Sequence, residues 1–184
     1  MDNYGLIIQE ATRQFQVKGL KFTMDDIAKE MHIAKKTIYQ SFSSKEELMM
    51  AMLDTGFKVI HERKREILDS DLPLTEKLAA VMIAMPDQYD ILDFRKLSGL
   101  PQSYPTVSEH LKAHLESDWE PVIELMEEGI RTGQLREISI PIVRLMFTAS
   151  VEAFLSSDTL TEEKIGYSEA LDELIGIIMK GIVK

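Results

Sequence analysis

The chain has 184 residues, of which 45% are hydrophobic and 28% charged, a composition that supports a folded core and excludes wholesale disorder. It contains no cysteine, so disulfide scaffolds, thiolate nucleophiles and cysteine-ligated metal sites are excluded. The formal charge of -10 taken alone argues against nucleic-acid binding, because phosphate contacts need a positive surface. The charge is unevenly distributed, however. Residues 1–66 hold 11 bases and 10 acids, whereas residues 67–184 hold 10 bases and 21 acids.

No targeting or membrane segment is evident. The first residues lack the basic stretch and apolar run of a signal peptide, and the longest apolar run, residues 78–85, is far shorter than a membrane span. We therefore expect a soluble, cytoplasmic protein that does not contact a membrane.

The first part of the chain shows helical spacing of apolar residues. A first helix carries apolar positions from Ile7 to Phe15, and Gly19 follows where a helix C-cap belongs. Thr23 is placed to cap a short helix that ends near Met31. After a brief break, a third helix runs to Phe42, and a long fourth helix is predicted from Lys45 to about Leu68.

The remainder also has helical periodicity. Helices are predicted over residues 75–85, 91–97, 107–130, 142–154 and 171–182, and Pro121 is expected to kink the third of these. The sequence thus predicts an all-α fold of about nine helices with no strands.

The most informative stretch is residues 23–48. Two short helices are joined by a turn of a few residues, with Ile27, Ala28 and Ile38 placed to pack where the helices cross, which is typical of a helix-turn-helix. The second helix presents donors and acceptors of the kind that contact base edges and phosphates. Between Met31 and Lys45 there is no acidic residue.

These residues resemble the DNA-binding signature of the TetR family of transcriptional regulators. The matching positions are Thr23, Ile27, Ala28, Ile33, Thr37, Ile38, Tyr39, Phe42, Lys45 and Leu48. The resemblance implies a three-helix DNA-binding head over residues 1–46 and a ligand-binding and dimerisation body over residues 47–184. It also implies a homodimer formed by the last two helices on a palindromic DNA operator.

The resemblance implies a role for each matching position. Thr23, Tyr39 and Lys45 are expected to contact the phosphate backbone. Five residues are expected to face the major groove: Lys35, Lys36, Thr37, Gln40 and Ser41. The chain departs from the family pattern at Met31, at His32, where glycine is usual, and at Ala34, which cannot cap the recognition helix.

TetR-like proteins enclose a small-molecule pocket, so aromatic and methionine side chains of the body are candidates to line one. The alternative for each is ordinary core packing. These candidates are Phe57, Met82, Met85, Tyr89, Phe94, Tyr104, Trp119, Met126 and Phe147.

His110, His114 and Asp118 lie four residues apart on one predicted helix face, a spacing at which two histidines can share a metal ion. The alternative is a plain polar face, and a site needs a third or fourth ligand whose position the sequence does not show, so no metal is assigned. Glycine-rich phosphate loops, serine elbows and dinucleotide motifs are absent from the sequence. We therefore expect neither a cofactor nor enzymatic activity.

The preferred interpretation is a ligand-responsive DNA-binding transcriptional regulator, a repressor that a small-molecule effector releases from its operator. The departures at His32 and Ala34 leave an alternative open, namely a small-molecule or metal-sensing helical protein with weak or lost DNA binding.

Overall fold

The computed structural model describes residues 3–84, 97, 99–117, 119–156 and 158–184, and these ranges consist of helices joined by short turns and loops. Extended pairing within them is limited to one isolated β-bridge between Leu135 and Val183. The all-α class with an N-terminal helix-turn-helix is confirmed. No helix in the described residues is long and apolar enough to cross a membrane.

Three helices form the N-terminal head. They are α1 (Asn3–Lys18), α2 (Met24–Glu30) and α3 (Lys35–Ser41), with a short 3-10 turn over Gly19–Lys21. Gly19 has φ +57°, which is the left-handed conformation expected of a residue that ends a helix. The apolar residues Ile7, Ile27 and Ile38 are fully buried between the three helices, as their helical spacing predicted.

The start of α2 is capped as predicted. The Thr23 hydroxyl accepts a hydrogen bond from the Asp26 amide at 3.1 Å, and the Asp26 carboxylate accepts from the Thr23 amide at 2.8 Å, which together form a capping box. Lys18 at the end of α1 forms an ion pair with the same carboxylate. The hydrogen bonds from Lys18 and Thr23 lower the pKa of Asp26 to about 2.

Asp26 is expected to make stability depend on pH. Because its pKa is lower in the folded chain than the usual value of about 3.9, the stabilisation is complete above about pH 4 and is lost as the pH falls towards 2. We expect Asp26→Asn to lower the midpoint of urea-induced unfolding at pH 7. The difference in this midpoint between the variant and the wild type should become smaller between pH 4 and pH 3. Lys18→Met is the matched variant, because it removes the same ion pair and leaves the Asp26 carboxylate in place. A difference that stays constant down to pH 3 would contradict this prediction.

The long helix α4 (Lys45–Leu68) connects the head to the body. It begins at Ser44, whose hydroxyl accepts from the Glu47 amide. Leu48 and Met49 near its start are buried in an apolar cluster that also contains Phe22 of the head and Leu111 of the body. The head and α4 therefore share one apolar core.

The described part of the body also contains shorter helices, of which the first and the third pack directly against α4. Their bounds are α5 (Leu74–Met82), α6 (Leu100–Ser103), α7 (Pro105–Glu116), α8 (Glu120–Arg131), α9 (Ile140–Ser156), α10 (Thr159–Glu162) and α11 (Tyr167–Ile182). The four-residue helices α6 and α10 are absent from the sequence prediction, because one turn is too short to show a periodicity. The helix predicted over residues 91–97 lies mostly outside the described residues.

The single kinked helix predicted over residues 107–130 is wrong. The chain instead ends α7 at Glu116 and begins α8 at Glu120, with extended backbone at Ser117. Pro121 lies in the first turn of α8, where its missing amide proton removes no helical hydrogen bond. The indole of Trp119 donates to the Leu115 carbonyl at 3.2 Å, which satisfies an acceptor that the broken helix leaves free.

Candidate nucleic-acid interface and ligand cavity

The helix-turn-helix geometry depends on the turn between α2 and α3. His32 occupies this turn with φ +53°, a left-handed conformation that histidine adopts more readily than most residues other than glycine. Ala34 precedes α3 and makes no side-chain capping bond. The turn is therefore formed without glycine, and the first amides of α3 have no side-chain acceptor.

The outer surface of α3 carries most of the candidate DNA-contacting residues. Lys35, Lys36, Tyr39 and Gln40 are exposed, whereas Thr37 and Ser41 are half-buried. Thr23 is exposed at the start of α2. Thr23 lies at the start of α2, and the other candidates lie on α3, the helix that helix-turn-helix proteins place in the major groove. Their contacts with DNA remain a prediction.

Lys35 has an acidic neighbour that the local sequence does not indicate. Its ammonium lies 2.8 Å from the Asp25 carboxylate on α2, and this hydrogen bond raises the pKa of Lys35. Both groups are exposed, so the ion pair contributes little to stability. A DNA phosphate or base at this position has to compete with Asp25 for the Lys35 ammonium.

Lys45 lies in an unexpected place. Its ammonium donates to the Leu20 carbonyl at 2.6 Å and to the Tyr104 hydroxyl at 2.9 Å, and it lies 4.3 Å from the centre of the Phe22 ring. Leu20 and Phe22 belong to the head, and Tyr104 belongs to the body. The lysine expected to hold DNA phosphate thus joins the head to the body, and it must leave these partners to reach DNA.

Two adjacent, largely apolar cavities lie against α4, and α1 of the head also contributes to the first of them. The first has a volume of about 120 Å³ and the second about 90 Å³. Four residues line both cavities: Phe57, Ile60, Leu115 and Tyr167. Helix α4 forms one wall of the first cavity with Met49, Met52, Leu53, Gly56, Phe57 and Ile60. Burial raises the pKa of Tyr167, so its hydroxyl is a neutral polar group among apolar walls.

The candidate pocket residues divide into three groups. Phe57 lines both cavities, and Met82, Trp119 and Phe147 line the second. Met126 is fully buried in the core and Tyr104 bonds to Lys45, and neither lines either of the two cavities. Met85, Tyr89 and Phe94 lie outside the described residues.

Several cavity residues are missing from the sequence prediction. Besides the α4 wall, the first cavity is lined by Thr12, Phe15, Leu97, Leu100, Val107, Leu111 and Leu155. The aliphatic residues among them have the same helical spacing as ordinary core residues. The recurrence of Met49, Leu53, Phe57 and Ile60 on one face of α4 is the signal that could have indicated this wall.

The histidine stripe on α7 has an acidic partner on another helix. His110 and His114 both place Nε2 beside Oδ1 of Asp54 on α4, at 2.7 Å and 2.8 Å. Partial burial raises the pKa of Asp54, but the hydrogen bonds from His114 and His110 lower it by more, so the net pKa is below its ordinary value. Asp118, the acid that the sequence spacing singled out, lies outside the described residues.

Comparison with known proteins agrees with this architecture. A family model described as bacterial regulatory proteins, tetR family, matches residues 7–52. The HTH-type transcriptional regulator YhgD of Bacillus subtilis (strain 168) is 35% identical over 146 residues, which cover 74% of this chain and 73% of YhgD. YvaF, a regulator of the same type from the same organism, is 24% identical over 177 residues, covering 96% and 93% of the two chains.

A similar fold is found in solved structures. The crystal structure of the transcriptional regulator FadR from Bacillus subtilis in complex with stearoyl-CoA has a TM-score of 0.75 at 20% identity, covering 97% of this chain and 98% of FadR. The helix-turn-helix, the family match and the identity to YhgD lead to the same conclusion. The chain belongs to the tetR family of bacterial regulatory proteins and is a helix-turn-helix transcriptional regulator.

Proposed function

We propose that this regulator is a repressor whose effector is an amphipathic molecule with a long apolar chain, of the fatty acyl class. The observation that carries the proposal is the pair of adjacent apolar cavities against α4. Their shared walls allow one extended ligand to occupy both spaces once Phe57 turns aside. The fold shared with FadR, solved with stearoyl-CoA, supports the same ligand class.

The polar end of the ligand has a place in the second cavity. His61 and Lys64 line this cavity together with Trp119 and Phe147. A cationic lysine at the edge of an apolar cavity suits an anionic head group such as a carboxylate or phosphate. The acyl chain is then directed towards the first cavity and Leu111.

Ligand binding requires the body to expand. Pockets for small molecules usually have volumes of about 300–1,000 Å³, whereas the first cavity has about 120 Å³. Because α4 forms one wall and shares its core with the head, an entering chain displaces α4 and changes the position of α3. The coupling between ligand and DNA equals the difference in ligand affinity between the two arrangements, typically about 1–3 kcal/mol.

We propose that the regulator acts in the cytoplasm as a homodimer, with residues 1–46 as the DNA-binding domain and residues 47–184 as the ligand-binding and dimerisation domain. Large apolar side chains on the last two long helices support the dimer. Ile142, Leu145 and Met146 on α9 and Ile177 on α11 are each more than half exposed. Their spacing on α9 places three of them on one face, and such a face typically marks a protein interface.

The proposed DNA contacts are those that the structure leaves accessible. Thr23 and Tyr39 contact phosphate, and Lys35, Lys36, Thr37, Gln40 and Ser41 face the major groove. Lys45 joins them only if DNA binding draws its ammonium away from Leu20 and Tyr104.

The test is a fluorescence anisotropy titration with DNA fragments selected for binding to the full chain. We expect affinity to fall steeply with salt, and stearoyl-CoA to weaken binding about 5- to 150-fold, the range of typical allosteric coupling. Coenzyme A alone is the control and should have no such effect. A chain that binds no DNA in a salt-dependent manner would contradict the DNA contacts, and DNA binding that is indifferent to acyl compounds would contradict the effector class.

A further inference from the structure

We propose that Asp54, His110 and His114 form a binding site for a divalent transition-metal ion that connects α4 to α7. The observation is a convergence of three ligand atoms from two helices. The two Nε2 atoms and the Asp54 carboxylate oxygen all lie within 4.8 Å of one another. No other group of three or more potential ligands of this kind occurs among the described residues.

The geometry is close to that of an occupied site. Zn²⁺ holds nitrogen and oxygen ligands at about 2.0–2.2 Å, so two ligands of a tetrahedral ion are roughly 3.3 Å apart. The Asp54 oxygen lies 2.7 Å and 2.8 Å from the two Nε2 atoms. A small side-chain rotation therefore opens enough space for the ion. His110 and His114 are separated by one helical turn, which is the spacing that lets two histidines of a helix share a metal.

The histidine rings are held in position without a metal. His114 stacks on Phe57 with ring centres 4.3 Å apart and planes 5° apart. His110 meets the His114 ring edge-on, with ring centres 4.9 Å apart. A carboxylate only accepts hydrogen bonds, so each Nε2 donates a proton to Asp54 in the metal-free chain. An ion bound at both Nε2 atoms displaces those two hydrogens, and each neutral imidazole then carries its single proton on Nδ1.

The ligand set favours some ions over others. Two imidazoles and one carboxylate suit Zn²⁺, Ni²⁺, Co²⁺ or Fe²⁺ better than Mg²⁺ or Ca²⁺, which prefer oxygen ligands. The side chains of Asp54, His110 and His114 are 56%, 32% and 21% exposed. Water can therefore complete the coordination at the solvent side, as it does in zinc sites with three protein ligands.

The test is a titration of the untagged full chain with Zn²⁺ by calorimetry and with Co²⁺ by visible absorption. We expect one ion per chain, and we expect His110→Ala and His114→Ala each to weaken binding by at least about 100-fold, since loss even of a group that only supports a ligand costs 10- to 100-fold. Asp54→Asn keeps the shape of the side chain, and it should also weaken binding because an amide is a poorer ligand.

The chain has four histidines, and the two that lie outside the cluster serve as controls. His61→Ala and His32→Ala remove the two that lie outside the cluster, and they should bind Zn²⁺ as the wild type does. Far-UV circular dichroism checks that every variant is folded. The proposed site would be overturned if neither ion bound stoichiometrically. It would also be overturned if His61→Ala lost as much Zn²⁺ affinity as the cluster variants.

A regulatory consequence rests on the proposed function. Asp54 lies on α4, and the two histidines lie on α7, whose residues Val107 and Leu111 line the first cavity. An ion that connects the two helices resists the expansion that the acyl ligand requires. Saturating Zn²⁺ is therefore expected to raise the stearoyl-CoA concentration that releases DNA, and to have no such effect in His110→Ala. An unchanged stearoyl-CoA concentration for the release of DNA in the wild type would contradict this consequence.

Because the Zn²⁺ titration needs neither DNA nor ligand, the metal site and the proposed function are tested separately.

Discussion

Leu145→Arg is expected to convert the protein into a monomer and to weaken operator binding at least about 100-fold. Leu145 is 63% exposed on α9, beside Ile142 and Met146. If this face is the dimer interface, the substitution buries two symmetry-related arginines without a partner. The cost of burying these two charges exceeds the association energy of such a face. Two linked heads bind about 10²- to 10⁴-fold more tightly than one, and a monomer loses this gain.

Sedimentation velocity gives the oligomeric state, and anisotropy on a palindromic fragment gives the affinity. Leu72→Arg is the matched control, because Leu72 is also exposed, at 41%, but lies in the loop before α5. We expect this control to remain dimeric and to bind DNA as the wild type does. A Leu145→Arg variant that stays dimeric would place the interface elsewhere on the body.

Leu111→Trp is expected to produce a repressor that binds DNA normally but no longer responds to the ligand. Leu111 is nearly buried on α7 and lines the first cavity, so the larger indole occupies the space in which we propose that the acyl chain binds. Extra volume in a packed region costs about 1–3 kcal/mol of stability, and an existing cavity reduces that cost. We expect release of DNA to require at least about 10-fold more stearoyl-CoA, which corresponds to 1.4 kcal/mol.

Anisotropy at fixed DNA and increasing stearoyl-CoA measures this response. Ala113→Trp introduces the same side chain at an exposed position of α7 and should leave the response unchanged. Release of Leu111→Trp at the wild-type ligand concentration would show that the acyl chain binds outside the first cavity.

Much of the fold could be predicted because its determinants are local. Thr23 and Gly19 act within one turn of their own helices, and the apolar stripes of α1 to α4 repeat every three to four residues. The error at residues 107–130 arose because Pro121 is compatible with either a kink or a helix start. In the structure the backbone at Ser117 is extended, and the Trp119 indole donates to the Leu115 carbonyl across the break.

The candidate sites were predictable to different degrees. The outward residues of α3 follow from the helix periodicity, and the structure leaves Lys36 and Gln40 exposed as expected. Cavity walls were not separable from core, because an aliphatic side chain such as Leu53 has the same sequence pattern in either place. The ion pair between Asp25 and Lys35 was missed because its partners are ten residues apart and on different helices.

By itself, the sequence determined the all-α class and the helix-turn-helix, because these depend on short-range spacing and capping, and its residues 23–48 carried the resemblance to the family. Only the tertiary structure brought Asp54 to His110 and His114, and Lys45 to Tyr104. The reason is physical: each of these contacts joins residues more than fifty positions apart, and such pairs meet only through the crossing of α4 with the chain around α7. Helical periodicity specifies which face of a helix is apolar, but it does not specify which helix that face meets.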